Sequence, residues 1–173
     1  MGTNRQALLE LIKAGLWGKA DAKLNVEHNL NEDVDWEKVY QLAHEQSVLG
    51  LVLQGIEWFQ AQGSRLKVPQ VLLLQWIGEV QMIKQRNKDM NAFVADIIEK
   101  LRKESIHPIL VKGQGIAQCY EKPLLRTCGD VDLLMSGEDY NKAKAFLVPL
   151  ASKVETEYES SKHLGMTIDG WTV

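Results

Sequence analysis

The chain has 173 residues, 45% of them hydrophobic and 25% charged, with a formal net charge of −3 at pH 7. That is enough apolar material for a core at an ordinary charge density, which excludes wholesale disorder. The acidic balance points away from long nucleic acid as a partner, because such binding draws on a basic surface and counterion release. No apolar run reaches the roughly 18 residues that cross a bilayer, so no membrane partner is expected. The opening MGTNRQALLELIKAGLWGK reads as an amphipathic helix and not as a signal peptide. Cys119 and Cys128 match no metal or redox spacing and are expected to stay reduced, which suggests a cytoplasmic location.

Residues 1–104 carry a helical pattern nearly throughout. Leu8, Leu9, Ile12 and Leu16 form a first stripe, and a polar stretch follows through Asn25–Asp35. Asp35 has the chemistry of an N-cap, with Lys38 where a full capping box would place Glu or Gln. Trp36, Val39, Tyr40, Leu42 and Ala43 then recur at three- and four-residue steps. Val48, Leu49, Val52, Ile56 and Phe59 make a further stripe that stops at Gln62-Gly63-Ser64. Pro69 suits the first turn of another helix. From Leu73 to Leu101 the apolar period continues, over a helical region near 69–104 that would be roughly 50 Å long. Asn87 leaves a polar gap in that stripe, so the region reads as one helix or as two. The five tryptophans fall mostly on apolar stripes and are expected to pack. His44 is expected to be a half-buried structural residue.

From residue 105 to 173 the pattern is that of an α/β unit. Ile106–Val111 is a short β-branched apolar run consistent with a buried strand. Lys112-Gly113-Gln114-Gly115 breaks it, and Ile116–Tyr120 reads as a short helix. A second strand is expected over Asp130–Met135. Ser136 or Gly137 then opens a helix over Asp139–Leu147, stopped by Pro149. Val154–Tyr158 reads as a strand, and Leu164–Ile168 with Trp171–Val173 reads as a hairpin about Asp169-Gly170, a strong two-residue turn signal.

Asp130 and Asp132 carry the chemical argument. Side chains at i and i+2 of a strand share a face, so the two carboxylates emerge together while Val131 and Leu133 turn to the other side. Like charges held so close repel unless a cation lies between them. Mg²⁺ takes hard oxygen ligands and commonly uses one or two carboxylates together with substrate phosphates. The bland alternative is a charged strand end. Upstream, Lys112-Gly113-Gln114-Gly115 lies between a strand and a helix, where backbone N–H groups can meet phosphate oxygens and glycines permit close approach. Lys112 reads equally as a phosphate contact or as a solvated strand end. Arg126 would pair with a phosphate or with the carboxylates themselves.

Taken together, Val111-Lys112-Gly113-Gln114-Gly115 and Arg126-Thr127-Cys128-Gly129-Asp130-Val131-Asp132-Leu133-Leu134 resemble the DNA polymerase β-like nucleotidyltransferase superfamily. More narrowly, they resemble an uncharacterised bacterial nucleotidyltransferase-like family, with a weaker likeness at Asp35-Trp36 and Leu42-Ala43-His44. The resemblance implies an α+β fold, a helical N-terminal region leading into a small mixed β-sheet of the palm type. It also implies transfer of a nucleoside monophosphate from an NTP, with two Mg²⁺ ions. In that scheme Asp130 and Asp132 are the catalytic and metal-binding carboxylates. Lys112, Gly113, Gln114, Gly115 and Arg126 form the nucleotide-binding set. The acceptor would be a small molecule or a protein side chain.

Two departures from the superfamily pattern stand out. Gln114 follows Gly113 where Ser is usual, which removes a hydroxyl from the turn. The third carboxylate has no candidate except Asp169, which reads as a turn residue, so it is expected beyond Val173, on a palm cut short at its C-terminus. Two readings of other classes remain: a degenerate palm that binds a nucleotide as a regulator, and a helical interaction module in which Asp130 and Asp132 are surface charges.

Overall fold

The computed structural model describes residues 3–18, 34–155 and 163–173. Packing divides the chain into two compact units, Met1–Arg86 with Tyr120–Thr127, and Asn87–Cys119 with Cys128–Val173. The division falls inside the longest helix, whereas the change of periodicity at residues 104–105 marks the passage from helices to alternating helices and strands.

The first unit contains helices α1 (Thr3–Trp17), α2 (Trp36–Glu45) and α3 (Leu49–Ala61), and the beginning of α4 (Gln70–Lys103). Asp35 caps α2 as its chemistry predicts, its carboxylate accepting from the Lys38 N–H at 3.1 Å. The Asp35 N–H in turn donates to Asn4 Oδ1 at 3.0 Å, which ties the start of α2 to α1. Between α2 and α3 the chain turns through Ser47, whose φ of 56° is left-handed. Helices α1 and α3 meet backbone to backbone. A Cβ added at Gly55 would lie 2.0 Å from the Leu11 carbonyl oxygen, and one at Gly15 would lie 2.1 Å from that of Leu51. Leu11, Val39, Val52, Ile56 and Trp76 are fully buried around this contact. The Trp76 indole N–H donates to the Leu49 carbonyl at 3.0 Å, so its one polar atom is satisfied inside the core. Trp36 also packs, but Trp17 is 65% exposed and does not follow the expectation that the tryptophans are buried. His44 is exposed as well, on the outer face of α2 where a half-buried residue was expected.

Helix α4 runs unbroken, with the Leu73 N–H donating to the Pro69 carbonyl at 2.9 Å, so Pro69 does stand at its first turn. It ends in a Schellman arrangement. The Ile106 N–H donates to the Leu101 carbonyl and the Ser105 N–H to that of Arg102, both at 3.0 Å, with Ser105 left-handed at φ 59°. Ile106 thereby returns to the buried Leu101, which explains why it closes the helix and does not begin a strand.

The second unit holds the end of α4, then β1 (Ile109–Val111), α5 (Lys112–Ala117), β2 (Asp132–Leu134), α6 (Gly137–Leu147), β3 (Lys153–Val154), β4 (Met166–Ile168) and β5 (Trp171–Thr172). Strands β1 and β2 pair antiparallel, with Val111 opposite Asp132 and Leu110 opposite Leu133. Strands β3, β4 and β5 form an antiparallel meander. The Val131 N–H donates to the Thr172 carbonyl at 2.9 Å, which sets β5 beside the residue preceding β2. The α+β class therefore holds, with the sheet resolved into two antiparallel ladders joined at that bond. Asp169 (φ 50°) and Gly170 (φ 83°) are both left-handed, the backbone of the expected two-residue hairpin turn. Ser136 caps α6 by accepting from the Asp139 N–H at 3.2 Å. Of the strand expected over Val154–Tyr158, Val154 pairs with Met166, and positions 156–158 lie outside the described residues. Met90, Ile97, Leu101, Val131, Ala143, Leu147, Met166 and Ile168 make the core of this unit. Among the described residues no helix is long and apolar enough to cross a membrane.

Candidate functional site

The site is built from the turn between β1 and α5 and from the chain entering β2. Helix α5 begins at Lys112, earlier than its apolar residues suggest, and carries a kink at Gly113, whose φ of 10° and ψ of −111° are not helical. Lys112 itself is left-handed at φ 49°, an uncommon conformation for a side chain of its kind. The turn packs directly on the Asp-x-Asp segment, since a Cβ added at Gly113 would lie 3.1 Å from the Asp130 carbonyl oxygen. Gly115 is needed for a different reason: a Cβ there would lie 2.8 Å from the Leu110 carbonyl oxygen, so the start of α5 closes against β1. The fold thus brings the glycine turn and the paired aspartates together within one unit.

Alternation across the aspartates is as expected. Val131 is buried in the core between the exposed Asp130 and the partly buried Asp132. The ladder itself starts only at Asp132, leaving Asp130 one step outside it. Because Val111 and Asp132 are opposite each other in the register, Lys112 follows directly beside Asp132. Its ammonium lies 3.0 Å from an Asp132 carboxylate oxygen. Lys112 is thus the counter-ion of one of the paired acids, while its side chain stays largely in solvent.

Gln114 turns the other way. Its side chain is 3% exposed, and its amide N–H₂ donates to Asn87 Oδ1 at 3.0 Å and to Met90 Sδ at 3.2 Å. What the turn can offer a ligand at this position is its backbone, while the side chain anchors the turn to α4. The same bond accounts for the polar gap at Asn87, which is 1% exposed. A buried amide in an apolar stripe needs a partner, and that need was the signal linking Asn87 to a distant polar residue. Arg126 lies half-buried in the first unit, just after the 3₁₀ turn Pro123–Leu125, its N–H donating to the Pro123 carbonyl at 3.3 Å.

A cavity of about 420 Å³ opens beside β2, with Asp132, Leu134, Met135, Tyr140, Lys144 and Met166 among its walls. Asp132 thus faces the Lys112 ammonium and borders a largely apolar recess as well. No group of three or more His, Cys, Asp or Glu side chains with metal-binding geometry occurs among the described residues. The two carboxylates are nonetheless hard donors of the kind Mg²⁺ takes, and Asp132 already holds a cation at hydrogen-bonding distance.

Neither the curated proteins nor the solved structures give a match to this chain. A family model described as an uncharacterised nucleotidyltransferase matches residues 32–169, which include the glycine turn, both aspartates and the helical lead-in from α2 onward. The chain belongs to this uncharacterised nucleotidyltransferase family.

Proposed function

We propose that the chain transfers a nucleoside monophosphate from an NTP to a hydroxyl-bearing acceptor. The acceptor oxygen would attack the α-phosphorus and the bond to the pyrophosphate would break, with the acceptor proton passing to solvent or a nearby base. The observation that supports this reading is the packing of the Gly113 turn on the Asp130 main-chain carbonyl, which makes the glycine turn and the Asp-x-Asp segment neighbours. Two Mg²⁺ ions bound at such a site would neutralise the attacking and leaving oxygens of an in-line displacement. Asp130 and Asp132 would hold them. The N–H groups of Gly113, Gln114 and Gly115 would receive phosphate oxygens. Positioning and charge neutralisation of this kind supply most of the catalysis in phosphoryl transfer. The apolar cavity beside Asp132 supports a small molecule as acceptor more than a polymer.

Calorimetric titration of each NTP with Mg²⁺ tests the reading. Metal-dependent binding is expected in the native chain and should be lost in Asp130→Asn and Asp132→Asn. Nucleotide binding that is indifferent to both substitutions, or no binding at all, would remove the transferase reading and leave the interaction module. The inward commitment of the Gln114 side chain favours a second reading, a palm that binds nucleotide without turning it over. Binding without pyrophosphate release in the presence of candidate acceptors would select it.

A further inference from the structure

We propose that Lys112 is an exchangeable counter-cation. Its ammonium holds the Asp132 carboxylate in the resting chain, yields that position to a divalent ion, and passes to the polyphosphate of the incoming nucleotide. The inference rests on the transferase reading and concerns a step that reading does not contain.

Three observations carry it. First, the Lys112 ammonium lies 3.0 Å from an Asp132 oxygen, on the same carboxylate that a metal ion here would use. A cation already there must leave, or the two positive charges repel. Second, the two ends of the pair differ: the Lys112 side chain is 72% exposed and that of Asp132 is 19% exposed. The acid is held by the sheet while the ammonium sits on a long stem in water, so the lysine is the partner that can move at little cost. Third, Lys112 stands at the mouth of the turn, on a left-handed backbone immediately before Gly113. That conformation aims the stem at Asp132 from a residue adjoining the N–H groups proposed to meet phosphate, so leaving the carboxylate keeps the ammonium beside the ligand.

Exchange of this kind predicts effects of opposite sign. Lys112→Met keeps a side chain of similar length and the same non-glycine backbone while deleting the charge. Mn²⁺ alone, titrated and read by the paramagnetic resonance signal of the free ion, should bind Lys112→Met more tightly than the native chain. An increase of about threefold to fivefold is expected, the scale of an exposed ion pair, and it should shrink as salt is raised. Mg-ATP should bind the same variant several-fold more weakly, because the phosphate has lost its ammonium. Lys112→Arg, which keeps the charge, should shift Mn²⁺ binding little. Unchanged Mn²⁺ affinity in Lys112→Met, or a change of both affinities in the same direction, overturns the proposal. If Mn²⁺ is still bound by the native chain and lost in Asp130→Asn, the transferase reading survives that failure. No Mn²⁺ binding in either the native chain or Lys112→Met overturns both.

Discussion

The bond between Gln114 and Asn87 makes a demanding test of how the glycine turn is held. Both side chains are almost wholly buried, and the amide of Gln114 donates to Asn87 Oδ1 at 3.0 Å. Replacing Asn87 by Leu, of similar volume, leaves the Gln114 amide without that acceptor in an apolar setting. An unsatisfied buried polar group costs about 1–3 kcal/mol. At roughly 2–4 °C per kcal/mol for a chain of this size, Asn87→Leu should lower the melting temperature by about 2–12 °C. Gln114→Met should cost a similar amount from the other side. With both replaced, neither amide of this pair is left facing a lost partner, and the double variant should recover much of the loss, a coupling of roughly 1–2 kcal/mol. Thermal melts by circular dichroism on the four chains of the cycle give the answer directly. If the two single costs simply add, the amide pair is not what anchors the turn. A second readout bears on the site: nucleotide binding should weaken more in the single variants than in the double, because the displaced turn carries the N–H groups of Gly113 and Gly115.

Glycines on two helices should respond in opposite senses. Gly55→Ala forces a Cβ into the Leu11 carbonyl at the α1–α3 contact and should destabilise by about 1–3 kcal/mol. Gly78→Ala, on an open face of α4 with nothing within 4 Å, should stabilise by about 0.5–1 kcal/mol; chemical denaturation of both variants checks the pair of signs. Asp130→Asn and Asp132→Asn should leave the melting temperature within a few degrees while removing metal-dependent nucleotide binding; global unfolding in either would mean the acids serve the fold. Burial, reinforced by the hydrogen bond that the Tyr40 hydroxyl donates to Glu79, raises the Tyr40 phenol above its ordinary value of 10.0. Its folded form therefore binds the proton more tightly than its unfolded form. The associated stability is complete below pH 10 and is lost as the pH rises through the folded value. Tyr40→Phe should flatten the alkaline limb of a stability–pH profile, and an unchanged limb would show that other groups set it.

Helix caps, helix starts and tight turns in both parts of the chain could be read before the structure, because their signals are local. Asp35 and Ser136 cap helices through their own side chains, Pro69 opens α4, and Asp169-Gly170 turns a hairpin with the two left-handed residues such a turn requires. Those features depend on a few neighbouring residues and the steric map of the backbone. Boundaries were harder where a long-range partner decided them. Ile106 has the composition of a strand residue, yet it folds back on Leu101 to finish α4, and Ile109 is 61% exposed in a strand whose composition suggests burial. Trp17 and His44 lie outside the core because helix periodicity gives a face, not the neighbour that would cover it.

The same division runs through the site. Sequence alone determined that Val131 turns into the core between two more accessible aspartates, since two-residue alternation is a property of an extended chain. It also determined that glycines follow the first strand closely, where the chain must turn. Only tertiary structure decided that Gly113 rests on the Asp130 carbonyl, that the Gln114 side chain reaches Asn87, and that the Lys112 ammonium neutralises Asp132. These three contacts join residues 17 to 27 positions apart. Strand register and helix packing bring them together, and those follow from burying the core as a whole, which no local pattern encodes.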